Sequence, residues 1–104
     1  MLKIAIETVG GSTLLKCAGR IVHGEESAAL QEAVLSRNEL SVEIDLADVQ
    51  GVDAAGLGTL VFLQHEFARD GRELVLVSPQ QFFLVLLRLT GLEEVLTVRE
   101  RCFV

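Results

Sequence analysis

Leu2, Ile4 and Ile6 alternate with Lys3, Ala5 and Glu7. A period of two predicts a strand with one buried face. Gly10-Gly11-Ser12 is a turn signal and Thr13 to Ala18 a second strand, so the chain opens on a hairpin whose second strand ends at Gly19. His23-Gly24 falls in a loop. Glu25 and Glu26 then place negative charge in the first turn of a helix, where it complements the helix dipole. That helix runs to about Ser36, with Leu30, Ala33, Val34 and Arg37 at helical spacing, the apolar members facing a core, and Arg37-Asn38 closing it. Leu40, Val42, Ile44 and Leu46 alternate with Ser41, Glu43 and Asp45, a third strand with an apolar and a polar face. A helix between strands two and three predicts that they are parallel neighbours joined by a right-handed crossover.

Next comes Val52-Asp53-Ala54-Ala55-Gly56-Leu57-Gly58, which opens a helical run from Leu57 to Ala68. Asp53 suits an N-cap, because its carboxylate can accept from N–H groups that lack partners in the first turn. The two glycines allow close approach of another backbone. Leu57, Leu60, Val61, Gln64 and Ala68 predict the inward stripe of this second helix, leaving Phe62, Leu63 and His65 outside it; Asp70-Gly71 ends it. Glu73 to Val77 predicts a strand buried on both faces. Ser78-Pro79-Gln80-Gln81 predicts a capped start to a third helix, with Ser78 as N-cap, and Gly91 ends that helix. Phe82, Val85, Leu86 and Leu89 form one apolar stripe on it, and Phe83, Leu84 and Leu87 fall outside. A helix apolar nearly all round is either well buried or presents a sticky face, here a candidate homodimer surface. Val95 to Val98 predicts a short edge strand. The whole is one α/β domain, residues 1–104: an N-terminal hairpin, then alternating helices and strands in a mixed, mostly parallel sheet.

Half of the 104 residues are hydrophobic and the formal net charge is −6, with no cluster of Lys or Arg. That supports a real core and argues against direct nucleic-acid binding, which needs clustered cations. The acidity suits a basic protein partner or simple solubility. Met1 to Val9 does not read as a signal peptide, and no apolar run reaches membrane-spanning length. Cys17 and Cys102 read as free thiols in a reducing cytoplasm.

Chemistry is sparse. No Ser, His and carboxylate stand in a nucleophile pattern. Gly56-x-Gly58 lacks the third glycine and the acid about 20 residues on of a dinucleotide site, and no Lys-Ser or Lys-Thr follows it as in a P-loop. Asp45 and Asp48 are a weak metal-binding pair that reads better as a solvated acidic loop; His65 reads as a surface residue. No cofactor, metal or catalytic residue is expected. The stretch from Val52 to Gly58 admits two readings, a well-capped turn or a docking corner.

Four motifs stand out together: Gly19-Arg20-Ile21 as a turn before an acidic helix, Ile44-Asp45-Leu46, Asp53-x-x-Gly56-Leu57-Gly58 at a strand-to-helix junction, and Leu89-Thr90-Gly91-Leu92-Glu93. With these, the chain as a whole resembles the STAS domain, and in particular the bacterial anti-sigma factor antagonists. The resemblance implies a non-enzymatic switch protein that binds an anti-sigma factor with a serine-kinase fold and thereby frees a sigma factor. In the family that kinase phosphorylates a serine in Asp-Ser-Ser-Gly-Leu-Gly, usually the one before the glycine, and a phosphatase resets it. A dianion on a contact surface repels and desolvates unless the partner supplies cations. This chain departs from the motif at that serine: Ala54 and Ala55 stand there, neither with a hydroxyl. It also has Val22 where many members carry an acid, with Glu25 and Glu26 nearby. Thr59 is the nearest downstream hydroxyl. The resemblance places the partner-binding residues at Asp53, Ala54, Ala55, Gly56, Leu57 and Gly58, with His23 and Gly24, and expects no phosphorylation at Ala55. Three readings stay open: an always-competent antagonist, a STAS module of another assembly such as a lipid-transport ABC complex or a signalling scaffold, and an enzyme on the same frame.

Overall fold

The computed structural model describes residues 2–100. Its elements are β1 (Leu2–Val9), β2 (Ser12–Ile21), α1 (Glu25–Leu35), β3 (Ser41–Val52), α2 (Ala54–Arg69), β4 (Glu73–Val77), α3 (Gln81–Thr90), a 3-10 turn (Leu92–Glu94) and β5 (Val98–Arg99). The sheet order is β1-β2-β3-β4-β5, antiparallel at the first pair and parallel at the other three. The mixed, mostly parallel α/β sheet expected from the sequence is therefore present. Cys102 lies outside the described residues.

One face of the sheet carries the core. Leu15 and Cys17 of β2, Val42, Ile44 and Leu46 of β3, and Leu74 and Leu76 of β4 pack with Leu30 and Val34 of α1 and with residues of α2 and α3. Val75 and Val77 are also buried, so β4 is covered on both faces as expected. Beside them, Glu43 and Arg99 form an ion pair at 3.6 Å. Burial pushes the Cys17 thiol up to about 12, with Asp45 adding to the shift, so Cys17 stays a protonated core residue. A polar clamp closes the end of the domain opposite α2's start. Arg72 stacks on Phe67 with 4.1 Å to the ring centroid and donates to the carbonyls of Arg37 and Glu39.

Several boundaries and faces differ from expectation. Gly19 does not end β2; it lies inside the strand at φ 117°, and Gly19-Arg20-Ile21 is strand rather than turn. β3 starts at Ser41, leaving Leu40 exposed, and continues to Val52 through two register shifts against β2. Each shift inserts an extra β3 residue, which breaks the alternation and hides the strand from a period-two reading. Asp45 and Asp48 thus sit in a bulged strand, not a loop, and Asp45 Oδ1 accepts from the Ala47 N–H at 2.9 Å. Among the described residues no group of three or more His, Cys, Asp or Glu could hold a metal ion.

The inward stripe of α2 is Leu57, Leu60, Leu63 and Phe67, so Leu63 turns in while Ala68 is exposed. On α3 the buried pair is Phe83 and Leu87; Phe82, Val85 and Leu89 face outward. Ser78 is not the N-cap of α3. It sits at φ 55° and its N–H donates to the Arg99 carbonyl at 3.0 Å, closing the β4–β5 ladder, and Gln80 takes the cap position. Gly91 does end α3, in the left-handed region at φ 74°. The last strand is shorter and later than expected, Val98–Arg99.

Candidate functional site: a corner between two loops

The corner forms where the end of β2 meets the start of α2. Asp53 is in extended conformation and its N–H donates to the Ile21 carbonyl at 3.4 Å. Its side chain does two jobs. Oδ1 accepts from the Gly56 N–H at 2.8 Å, the N-cap bond expected from the sequence. Oδ2 accepts from the His23 N–H at 3.0 Å, which ties the loop before α1 to the start of α2. That second bond could not be read from the sequence, because its partner lies 30 residues away. Ser27 holds the same loop from the other side, its Oγ donating to the Val22 carbonyl at 2.6 Å. Gly24 begins α1 at φ 99°, a conformation that favours glycine.

Gly56 explains why the corner is so tight. A Cβ built there would lie 2.0 Å from the Ile21 carbonyl oxygen and 2.9 Å from its carbonyl carbon. The first turn of α2 therefore rests directly on the backbone of β2. A glycine within a helix costs stability relative to alanine, so its presence in the first turn of α2 was the available signal of a close backbone approach. Gly58 is different: it is exposed, with open space around its Cα.

The expected site residues thus divide by geometry. Gly56 and Leu57 are buried and seat the helix. Asp53, Ala54, Ala55, Gly58, His23 and Gly24 are exposed around the corner. Thr59 is half-buried, and its hydroxyl donates to the Ala55 carbonyl at 3.1 Å, so its proton is already engaged within the helix. Ala54, Gly58, Phe62 and His65 follow helical spacing and continue the exposed surface along α2. There a mostly apolar groove of about 550 Å³ is lined by Gly58, Val61, Phe62, His65 and Val95 among others. At the start of α2, Ala54 and Ala55 carry no hydroxyl and that of Thr59 is engaged.

The two N–H donors, His23 first and then Gly56, hold the Asp53 carboxyl below its ordinary value. The Thr13 hydroxyl and the Arg37 guanidinium do the same for Glu39, lowering it from 4.5 to about 2. Both groups are more acidic folded than unfolded, so their stabilising contribution is full above the ordinary carboxylate range. As pH falls from 4.5 towards 2 the unfolded chain takes up protons first, and that contribution is lost. Thermal melts should show a falling midpoint across this window, and Glu39→Gln should make the fall shallower.

The family model described as "Mlab, STAS domain" matches residues 4–98. Among solved structures, a Thermotoga maritima protein assigned as an anti-sigma factor antagonist is similar at 20% identity and TM-score 0.84, over 96% of this chain and 87% of that one. An anti-sigma factor antagonist from Mycobacterium paratuberculosis is similar at 20% identity and TM-score 0.78, over 94% and 85%. The Bacillus cell fate determinant SpoIIAA in its phosphorylated form is similar at 12% identity and TM-score 0.72, over 96% and 92%. At such identities these structures share a fold with this chain. The match of the family model over 4–98, with the sheet order and the Asp53 corner, places this chain in the STAS-domain family.

Proposed function

We propose that this chain is an anti-sigma factor antagonist that is always competent to bind, docking its Asp53 corner on an anti-sigma factor of serine-kinase fold. The observation that carries the reading is the exposed pair Ala54-Ala55 at the start of α2, where the motif it resembles has its serines. The corner keeps the motif's capped geometry and lacks the oxygen that a kinase phosphorylates. Its activity is then set by abundance rather than by phosphate. The reading is of a cytoplasmic, non-enzymatic STAS domain over residues 1–104, acting on transcription without touching DNA and without inserting into a membrane. No helix among the described residues is long and apolar enough to cross one.

In this reading the exposed Phe82, Val85 and Leu89 of α3 offer a second contact surface for the partner. Leu89 is 79% exposed, so Leu89→Asp should leave the fold intact and weaken binding of the partner by roughly tenfold, read by calorimetry.

The decisive binding test uses kinase-fold anti-sigma factors from the genome that encodes this chain. One of them should bind the purified protein, and Ala55→Arg should abolish the complex. A second reading is favoured by the description of the matching family model, which is Mlab rather than anti-sigma factor antagonist. In that reading the same corner docks on a subunit of a lipid-transport ABC complex. Binding to such a subunit and to none of the anti-sigma factors would select it.

A further inference from the structure

We propose that the outer edge of β1 is a self-association site, where a second copy adds its own β1 antiparallel about a two-fold axis at Ala5. β1 is an edge strand: among the described residues it pairs with β2 alone, over the unbroken register Leu2↔Gly19 to Val9↔Ser12. A two-residue hairpin loop closes on a hydrogen-bonded pair, here Val9 and Ser12. Counting back from it, the N–H and C=O groups of Thr8, Ile6, Ile4 and Leu2 point away from β2, towards the open edge. Long open edges of this kind pair readily with another strand.

The register of such a pair follows from the side chains. With the axis at Ala5, Ile4 faces Ile6 of the second copy, Leu2 faces Thr8, and all of the outward groups from Leu2 to Thr8 find partners. Lys3 then faces Glu7 and Glu7 faces Lys3, in the non-hydrogen-bonded positions where side chains approach most closely. The charges are therefore self-complementary in this register, and the only side chain that meets its own copy is the small Ala5. Shifting the axis to Ile4 or Ile6 sets Lys3 or Glu7 against Ala5 and loses both charge pairs. Glu7 already contacts Lys16 at 3.2 Å, so the added Lys3 extends an existing alternation of charge across the sheet. Ile6, 47% exposed on an edge strand, is the apolar side chain that this pairing covers. On α3, by contrast, Phe82, Val85 and Leu89 carry no charge that selects a second copy, so self-association belongs to β1 and α3 is left for a different protein.

Sedimentation velocity over about 10 µM to 1 mM should show a concentration-dependent dimer. Lys3→Glu alone and Glu7→Lys alone each replace two attractive pairs by two repulsive ones and should weaken it by roughly tenfold or more. An equimolar mixture of the two single variants should restore it, since every facing pair is then of opposite charge, and the double variant Lys3→Glu/Glu7→Lys should dimerise like the wild type. Lys3 and Glu7 are exposed, and circular dichroism should show each variant folded. Leu89→Asp should leave the dimer unchanged. A wild-type monomer at 1 mM would overturn the proposal. So would a dimer that both single variants retain, or one that Leu89→Asp removes.

Discussion

Gly56→Ala is expected to destabilise the domain by about 3 kcal/mol, among the larger effects a single methyl group can have. The added Cβ would meet the Ile21 carbonyl oxygen at 2.0 Å; that oxygen is backbone, and the Cβ is held rigidly to its own. Neither can rotate away as a flexible side chain could. Relief requires moving the first turn of α2 off β2, which also stretches the Asp53–Gly56 cap and loosens the buried Leu57. The melting midpoint should fall by roughly 12–20 °C for a domain of this size. Gly58→Ala is the matched control. It lies two residues on in the same helix, with open space where its Cβ would go. There alanine gains helix propensity, and the midpoint should rise by a few degrees, on the order of 0.5–1 kcal/mol. Equal effects at the two glycines would contradict the packing described for the corner.

Asp53→Ala is expected to cost the corner its shape and its partner at least about tenfold in affinity. Both carboxylate oxygens are in use, Oδ1 on Gly56 and Oδ2 on His23, so the residue joins the two loops through its side chain. Asn offers one acceptor oxygen and turns an amide group on the other donor; Ser can cap Gly56 but not reach both. Asp53→Asn and Asp53→Ser should therefore recover helix stability and still bind less well than the wild type. Titration calorimetry with the partner, paired with thermal melts, separates the two losses. If all three variants bind as tightly as the wild type, the corner is not the docking surface.

The parts of this molecule that were legible in its sequence are those fixed by short-range chemistry. The N-cap role of Asp53 and the helix stop at Gly91 depend on neighbours within a few residues. The double-sided burial of β4 shows as an unbroken Leu-Val-Leu-Val run. What the sequence concealed has physical causes too. α3 is apolar at nearly every position, so its periodicity has little phase: of the stripe Phe82, Val85, Leu86 and Leu89 three members are exposed, and the buried pair, Phe83 and Leu87, falls outside it. On α2 the spacing predicts Gln64 and Ala68 inward where Leu63 and Phe67 are, a rotation of the helix that only the packed core decides. The second half of β3 was invisible because each bulge resets the alternation. At the corner, the Asp53–His23 bond and the Ile21 carbonyl under Gly56 join residues about thirty positions apart, beyond any local pattern.

The central claim is a docking corner that a kinase cannot switch off, and it is tested most directly by the fate of the complex in ATP. The wild-type chain is incubated with its kinase-fold anti-sigma factor and Mg-ATP, with intact mass and complex followed together. The mass should stay unchanged and the complex should persist, while Ala55→Ser gains one phosphate and is released. Phosphate on wild-type Thr59, or release of the wild type by ATP, would contradict the account.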